Sequence, residues 1–134
     1  MKIEGSSLPL LKSCLEVFEN IDILIGDSSK YHCGVSFAMK ADGSTCIGSH
    51  PEAVAWDWLG SIGRVEHKPL EQVHSRFTIC QYYNAAVIEL KYASVKDSSI
   101  FLSSYCVYEQ FKCVLEKAQE LITADIEAHE DNIE

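Results

Sequence analysis

The most regular pattern of apolar and polar positions lies in the last quarter of the chain. Wound at about 100° per residue, Val107, Phe111, Val114, Leu115, Ala118, Leu121, Ile122, Ile126 and Ile133 fall on one face. Glu109, Glu116, Glu120, Glu127, Asp131 and Glu134 gather on the opposite face. The phase is kept across Thr123-Ala124, so the pattern predicts one long amphipathic helix over about 104–134. At the other end, Leu8, Leu11, Leu15 and Phe18 recur at helical spacing behind Ser7, and Pro9 suits a first turn. This predicts a helix over about 8–20, followed by a short β-branched strand, IDILI, at 21–25.

Between the two ends the pattern reads as mostly β. Asp42-Gly43 is a strong hairpin signal, and it predicts a hairpin over 33–48 with Ala41 opposite Ser44, Lys40 opposite Thr45 and Met39 opposite Cys46. Ser49 stands three residues before Glu52 with Pro51 between them, a capping-box spacing. PEAVAWDWL is therefore expected to be a short helix ending at Gly60, with a strand as the alternative because Val54, Trp56 and Trp58 alternate. SRFTICQYY and AAVIELKYA read as antiparallel neighbours around Asn84-Ala85, and SIFLS as a further short strand, giving a β-rich middle over 74–103. The expected fold is one α+β domain spanning 1–134. It has an antiparallel sheet of about five or six strands, an N-terminal helix, a short middle helix and the long C-terminal helix.

Composition narrows the function classes. The chain has 134 residues, 11 Lys+Arg against 20 Asp+Glu, and a net charge of −9. The excess is uneven: residues 97–134 hold nine acids and two lysines, while residues 1–96 are close to balance. Direct nucleic-acid binding through a basic surface is not expected. No segment has the length and apolarity of a membrane span, and MKIEGSSLPLL lacks the apolar run of a signal peptide, so a soluble cytoplasmic protein is expected. The six cysteines, at 14, 33, 46, 80, 106 and 113, show no CxxC spacing and read as reduced, small apolar groups.

The stretch YHCGVSFAMKADGSTCIGSH places His32, Cys33, Cys46 and His50 close together in sequence. In a regular hairpin Cys33 lies six residues along the strand from Met39, about 20 Å from Cys46, too far to share a zinc. Cys46 is expected on the core face with Val35, Phe37 and Met39. A second constellation, DGSTCIGSHPEA followed by SIFLSSYCVYEQ, resembles in outline the zinc nucleoside deaminases over residues 8–122. The resemblance implies His50 as a zinc ligand, Glu52 as the catalytic proton shuttle and Cys106 as a metal cysteine. Tyr105 stands where that family has proline and Glu109 where it has its second cysteine, so the metal set would be His50, Cys106 and Glu109.

The uncompensated acid stripe leads to a different expectation. A row of carboxylates with few lysines at (i, i+4) suits a basic protein partner. The expected function is a small acidic binding protein of the immunity or inhibitor type, without cofactor, that neutralises a basic toxin or enzyme such as a nuclease through Glu109, Glu116, Glu120, Glu127, Asp131 and Glu134. An acidic chaperone or adaptor is the further alternative. Trp56 and Trp58 are candidate interface anchors, with burial in the core as the plainer alternative.

Overall fold

A computed structural model describes residues 7–32, 37–91 and 108–131. Its elements are α1 (Leu8–Leu24), β1 (Ala38–Lys40), β2 (Thr45–Cys46), β3 (Ala53–Trp56), α2 (Trp58–Glu66), α3 (Arg76–Glu89) and α4 (Tyr108–Asp131), with short 3-10 turns at Ser28–Lys30 and Leu70–Gln72. The fold is α+β, but among the described residues four helices and a three-stranded antiparallel sheet of order β2-β1-β3 replace the expected five or six strands.

The N-terminal helix forms as its caps predict. Ser7 accepts a hydrogen bond from Leu10 N–H at 3.3 Å, and Pro9 occupies the first turn. The helix runs on through the stretch expected to be a strand. Ile21 and Ile25 are fully buried, while Ile23 is 76% exposed. A strand would have put all three on one face. The helix instead extends the phase already set by Leu11, Cys14 and Phe18.

The larger correction is α3. SRFTICQYY and AAVIELKYA are not a strand pair: residues 76–89 form one helix, and Asn84-Ala85 lies inside it. The buried positions Ile79, Tyr82, Tyr83, Ala86 and Val87 follow helical spacing. Aromatic and β-branched residues give the segment a strand-like composition, and tertiary packing overrides that preference. The expected strand SIFLS, and residues 92–103 generally, lie outside the described residues.

The hairpin is present with a different register. Ala38 pairs with Cys46 and Met39 with Thr45. Lys40 N–H donates to Ser44 O at 2.9 Å and Gly43 N–H to Lys40 O at 3.0 Å, so the loop holds Ala41, Asp42 and Gly43 rather than two residues. Gly43 takes φ +89°, as the last residue of a three-residue loop requires. The one-residue shift places Cys46 on the face of Ala38, not of Phe37 and Met39.

PEAVAWDWL divides. Ala53–Trp56 is the third strand, as in the alternative reading, and α2 begins at Trp58 instead of ending at Gly60. Asp57 caps it, with Oδ1 accepting from Gly60 N–H at 2.7 Å.

The helices pack with α4 beside both α1 and α3. Opposite ends of α1 and α4 meet through Lys12–Glu130, 3.5 Å apart, and Lys112–Asp22, so the two run antiparallel. Tyr82–Asp125 and Glu89–Lys117 set α3 antiparallel to α4 in the same way. Stacked rings join the layers. Trp58 lies 5.6 Å from Phe18 and 3.9 Å from Tyr83, and Tyr31 lies 4.4 Å from Phe111. All four helices thus contribute to one apolar core.

Candidate functional site

The outer face of α4 carries the acid stripe. Glu109, Glu116, Glu120 and Glu127 are exposed and lie within about 20° of a single line along the helix, about 27 Å from first to last. Cys113, an exposed free thiol, sits beside that line. The lysines of α4 are directed to its flanks. Lys112 binds the Asp22 carboxylate and the Asp22 and Ile25 carbonyls of α1. Lys117 reaches Glu89 of α3 at 3.9 Å and Glu120 at 3.5 Å. Glu109, Glu116 and Glu127 enter no ion pair among the described residues. The side chain of Asp131, and all of Glu134, lie outside the described set.

His50 and Glu52 occupy an exposed turn ahead of β3. His50 Nδ1 accepts from Glu52 N–H at 3.0 Å, which assigns the ring proton to Nε2. Arg64 donates to the His50 carbonyl at 3.3 Å, and Glu52 reaches Lys40 at 3.8 Å. A metal bound through Nε2 would leave the ring proton on Nδ1 and cost the hydrogen bond from Glu52 N–H. Cys106 lies outside the described residues, and among those described no cluster of three His, Cys, Asp or Glu side chains is arranged to hold a metal ion.

Trp56 and Trp58 are both interior, at 4% and 0% exposure. Trp56 Nε1 donates to Gly48 O at 2.9 Å and its ring carries the Arg64 guanidinium at 5.4 Å. Trp58 is held in the aromatic stack, with its Nε1 unpartnered among the described residues.

A second surface feature was not anticipated from the sequence. A pocket of about 280 Å³ opens between α3 and the Leu70–Gln72 turn, lined by Phe37, Leu70, Glu71, Arg76, Phe77, Cys80, Gln81 and Asn84. A smaller depression bounded by Ile47, Leu59 and Pro69 adjoins it through Phe37, Leu70 and Glu71. Phe37 stands at the junction with φ +79°, a left-handed conformation that an aromatic residue adopts only when its surroundings force it. The clamp is Asp57. Its N–H donates to Phe37 O at 3.0 Å while its Oδ2 accepts from Phe37 N–H at 3.4 Å. Glycine at 60 is what admits this approach, since a Cβ there would lie 1.7 Å from Phe37 O. Burial pushes the Asp57 carboxyl up to about 6, against the pull of its hydrogen bonds from Gly60, Phe37 and Leu59. The local signal was legible: Asp57 directly before Trp58 and three residues before Gly60 is an N-cap pattern.

Neither the family models nor the curated proteins nor the solved structures contain a match to this chain. Among the described residues, no helix is long and apolar enough to cross a membrane.

Proposed function

We propose that this chain is a small acidic binding protein of the inhibitor or immunity type, which neutralises a basic protein, a toxin or an enzyme such as a nuclease, through the outer face of α4. The observation that carries the reading is the line of exposed carboxylates Glu109, Glu116, Glu120 and Glu127, beside which Lys112 is drawn aside to α1 and Lys117 is shared between Glu120 and Glu89 of α3. The arrangement runs against local helix stability. Only Glu109 is acidic in the first turn, where negative charge is favoured, whereas Glu127, with no ion pair among the described residues, stands near the end where cations are favoured, beside His129 and a Glu130 that pairs with Lys12. A local preference broken without a packing gain is the mark of a surface kept for another purpose. Clustered negative charge raises encounter rates with a basic partner and selects against acidic ones.

The test is kinetic. A basic partner obtained from the native host should bind at a rate that falls steeply between about 0.1 M and 1 M salt, as the Debye length shrinks from about 10 Å to about 3 Å. Reversing Glu116, Glu120 and Glu127 to lysine should slow association by about tenfold or more, and should abolish inhibition of that partner's activity. Alkylating Cys113 with a bulky maleimide should obstruct the same surface. An association rate indifferent to salt and to the triple reversal would refute the reading.

A further inference from the structure

The pocket between α3 and the Leu70–Gln72 turn is independent of the acidic face and has its own chemistry. Its walls are mainly apolar: Phe37 and Leu70 on one side, Phe77 and Cys80 on the other. At about 280 Å³ it falls near the lower end of small-molecule sites. Phe77 is 69% exposed and Phe37 38% exposed, so two aromatic rings border the pocket without being absorbed into the core. Phe37 is also held there in a costly backbone conformation by Asp57, and strain of this kind collects at sites that bind something.

The polar groups distinguish the ligand's head. Arg76 is half-buried at the first position of α3, stacked on Phe77 at 4.7 Å, with one Nη donating to Val73 O at 3.1 Å. No carboxylate lies within ion-pair distance of it among the described residues. The remaining guanidinium N–H groups are therefore available to an acceptor. The first turn of α3 contains no acidic residue, and Ser75 supplies no side-chain cap, so the helix brings no carboxylate of its own to its positive end beside the pocket. Glu71, the acid of the pocket, is exposed and solvated on the opposite wall, while Gln81 and Asn84 offer neutral amides.

We infer that this pocket binds a small, largely apolar molecule bearing one carboxylate, its head beside Arg76 and its body between Phe37, Leu70, Phe77 and Cys80. The class comprises medium-chain and aryl carboxylates.

The full chain can be titrated with decanoate, decanol and decylammonium, following amide chemical shifts and heat release. Decanoate should saturate a single site that shifts Phe37, Arg76 and Phe77, and should bind at least about tenfold more tightly than decanol, the margin of one charge-assisted hydrogen bond. Decylammonium should bind more weakly than either. Arg76→Gln should reduce decanoate to the affinity of decanol and leave decanol unchanged. Phe77→Ala removes an exposed wall, leaves the fold in place and should weaken decanoate and decanol alike. The inference is overturned if decanoate causes no saturable shift at these residues. It is equally overturned if decanoate and decanol bind alike in the parent chain, or if Phe77→Ala leaves both affinities unchanged.

Discussion

Helices α3 and α4 lie side by side, share one core and present opposite surfaces. The inner face of α4 buries Phe111, Val114, Leu115, Ala118 and Ile122, and that of α3 buries Ile79, Tyr82, Tyr83 and Ala86. On their outer sides α4 carries a line of solvated carboxylates, while α3 carries an arginine, an exposed phenylalanine and the wall of an apolar pocket. The same packing problem is solved twice, so the difference outside is not imposed by the core. As proposed above, the two surfaces take different ligands: a basic macromolecule on the broad charged face, and a small acid in the narrow apolar pocket.

The largest effects should appear where the helices are alike. Phe111 on α4 and Tyr83 on α3 are both fully buried and belong to the ring stack that reaches Trp58. Phe111→Ala and Tyr83→Ala should each cost about 3–5 kcal/mol in urea-unfolding experiments. A cost below about 1 kcal/mol for either would mean that the helix concerned is not anchored in the shared core, and the comparison of outer faces would lose its basis.

The two helices also differ in how far the sequence disclosed them. In α4, leucines, isoleucines and glutamates separate cleanly at helical spacing, so its face is set by the pattern whatever it packs against. In α3, Phe77, Thr78, Ile79, Tyr82, Tyr83, Val87 and Ile88 favour strands intrinsically, and apolar residues surround the helix because its outer side forms a pocket. Period and propensity then disagree, and the strand reading follows. The hairpin loop was legible as a loop but not in length, because a Gly with positive φ serves two-residue and three-residue connections equally. The exposure of Glu109, Glu116, Glu120 and Glu127 along one line followed from periodicity alone. The pocket did not, since it joins residues 37, 70–71 and 76–84, which only the tertiary fold brings together.

A smaller effect separates the two sides by pH. Asp57 clamps Phe37 at the pocket and is 3% exposed, with its carboxyl raised by burial to about 6 from 3.8. A folded-state value above the unfolded one means that the folded chain holds the proton more tightly. The associated stability is fully present below about pH 4 and is lost as pH rises through about 6, a change on the order of 2–3 kcal/mol. Asparagine at this position can still cap α2 but carries no charge. Asp57→Asn should therefore flatten the stability profile between about pH 4 and 6. A slope in that window that survives Asp57→Asn would assign it to other carboxylates.

The smallest expected effects are on stability at the outer faces themselves. Phe77→Ala removes a ring that is 69% exposed, and it should change stability by no more than about 0.5 kcal/mol. On α4 the sign should reverse. Glu127 stands near the C-terminal end of a helix that runs from Tyr108 to Asp131, where the dipole disfavours negative charge. Glu127→Lys should therefore stabilise the chain by about 0.3–1 kcal/mol, read as an upward shift of the thermal midpoint at low salt that fades as salt is added. Glu120→Lys gives up the Lys117 contact, whose glutamate is 70% exposed, and so should be nearly neutral. A gain at position 127 together with slower association with the basic partner would show that the face trades helix stability for recognition. A loss of stability on Glu127→Lys would mean that the carboxylate supports the fold, and the contrast between the two helices would narrow to the pocket alone.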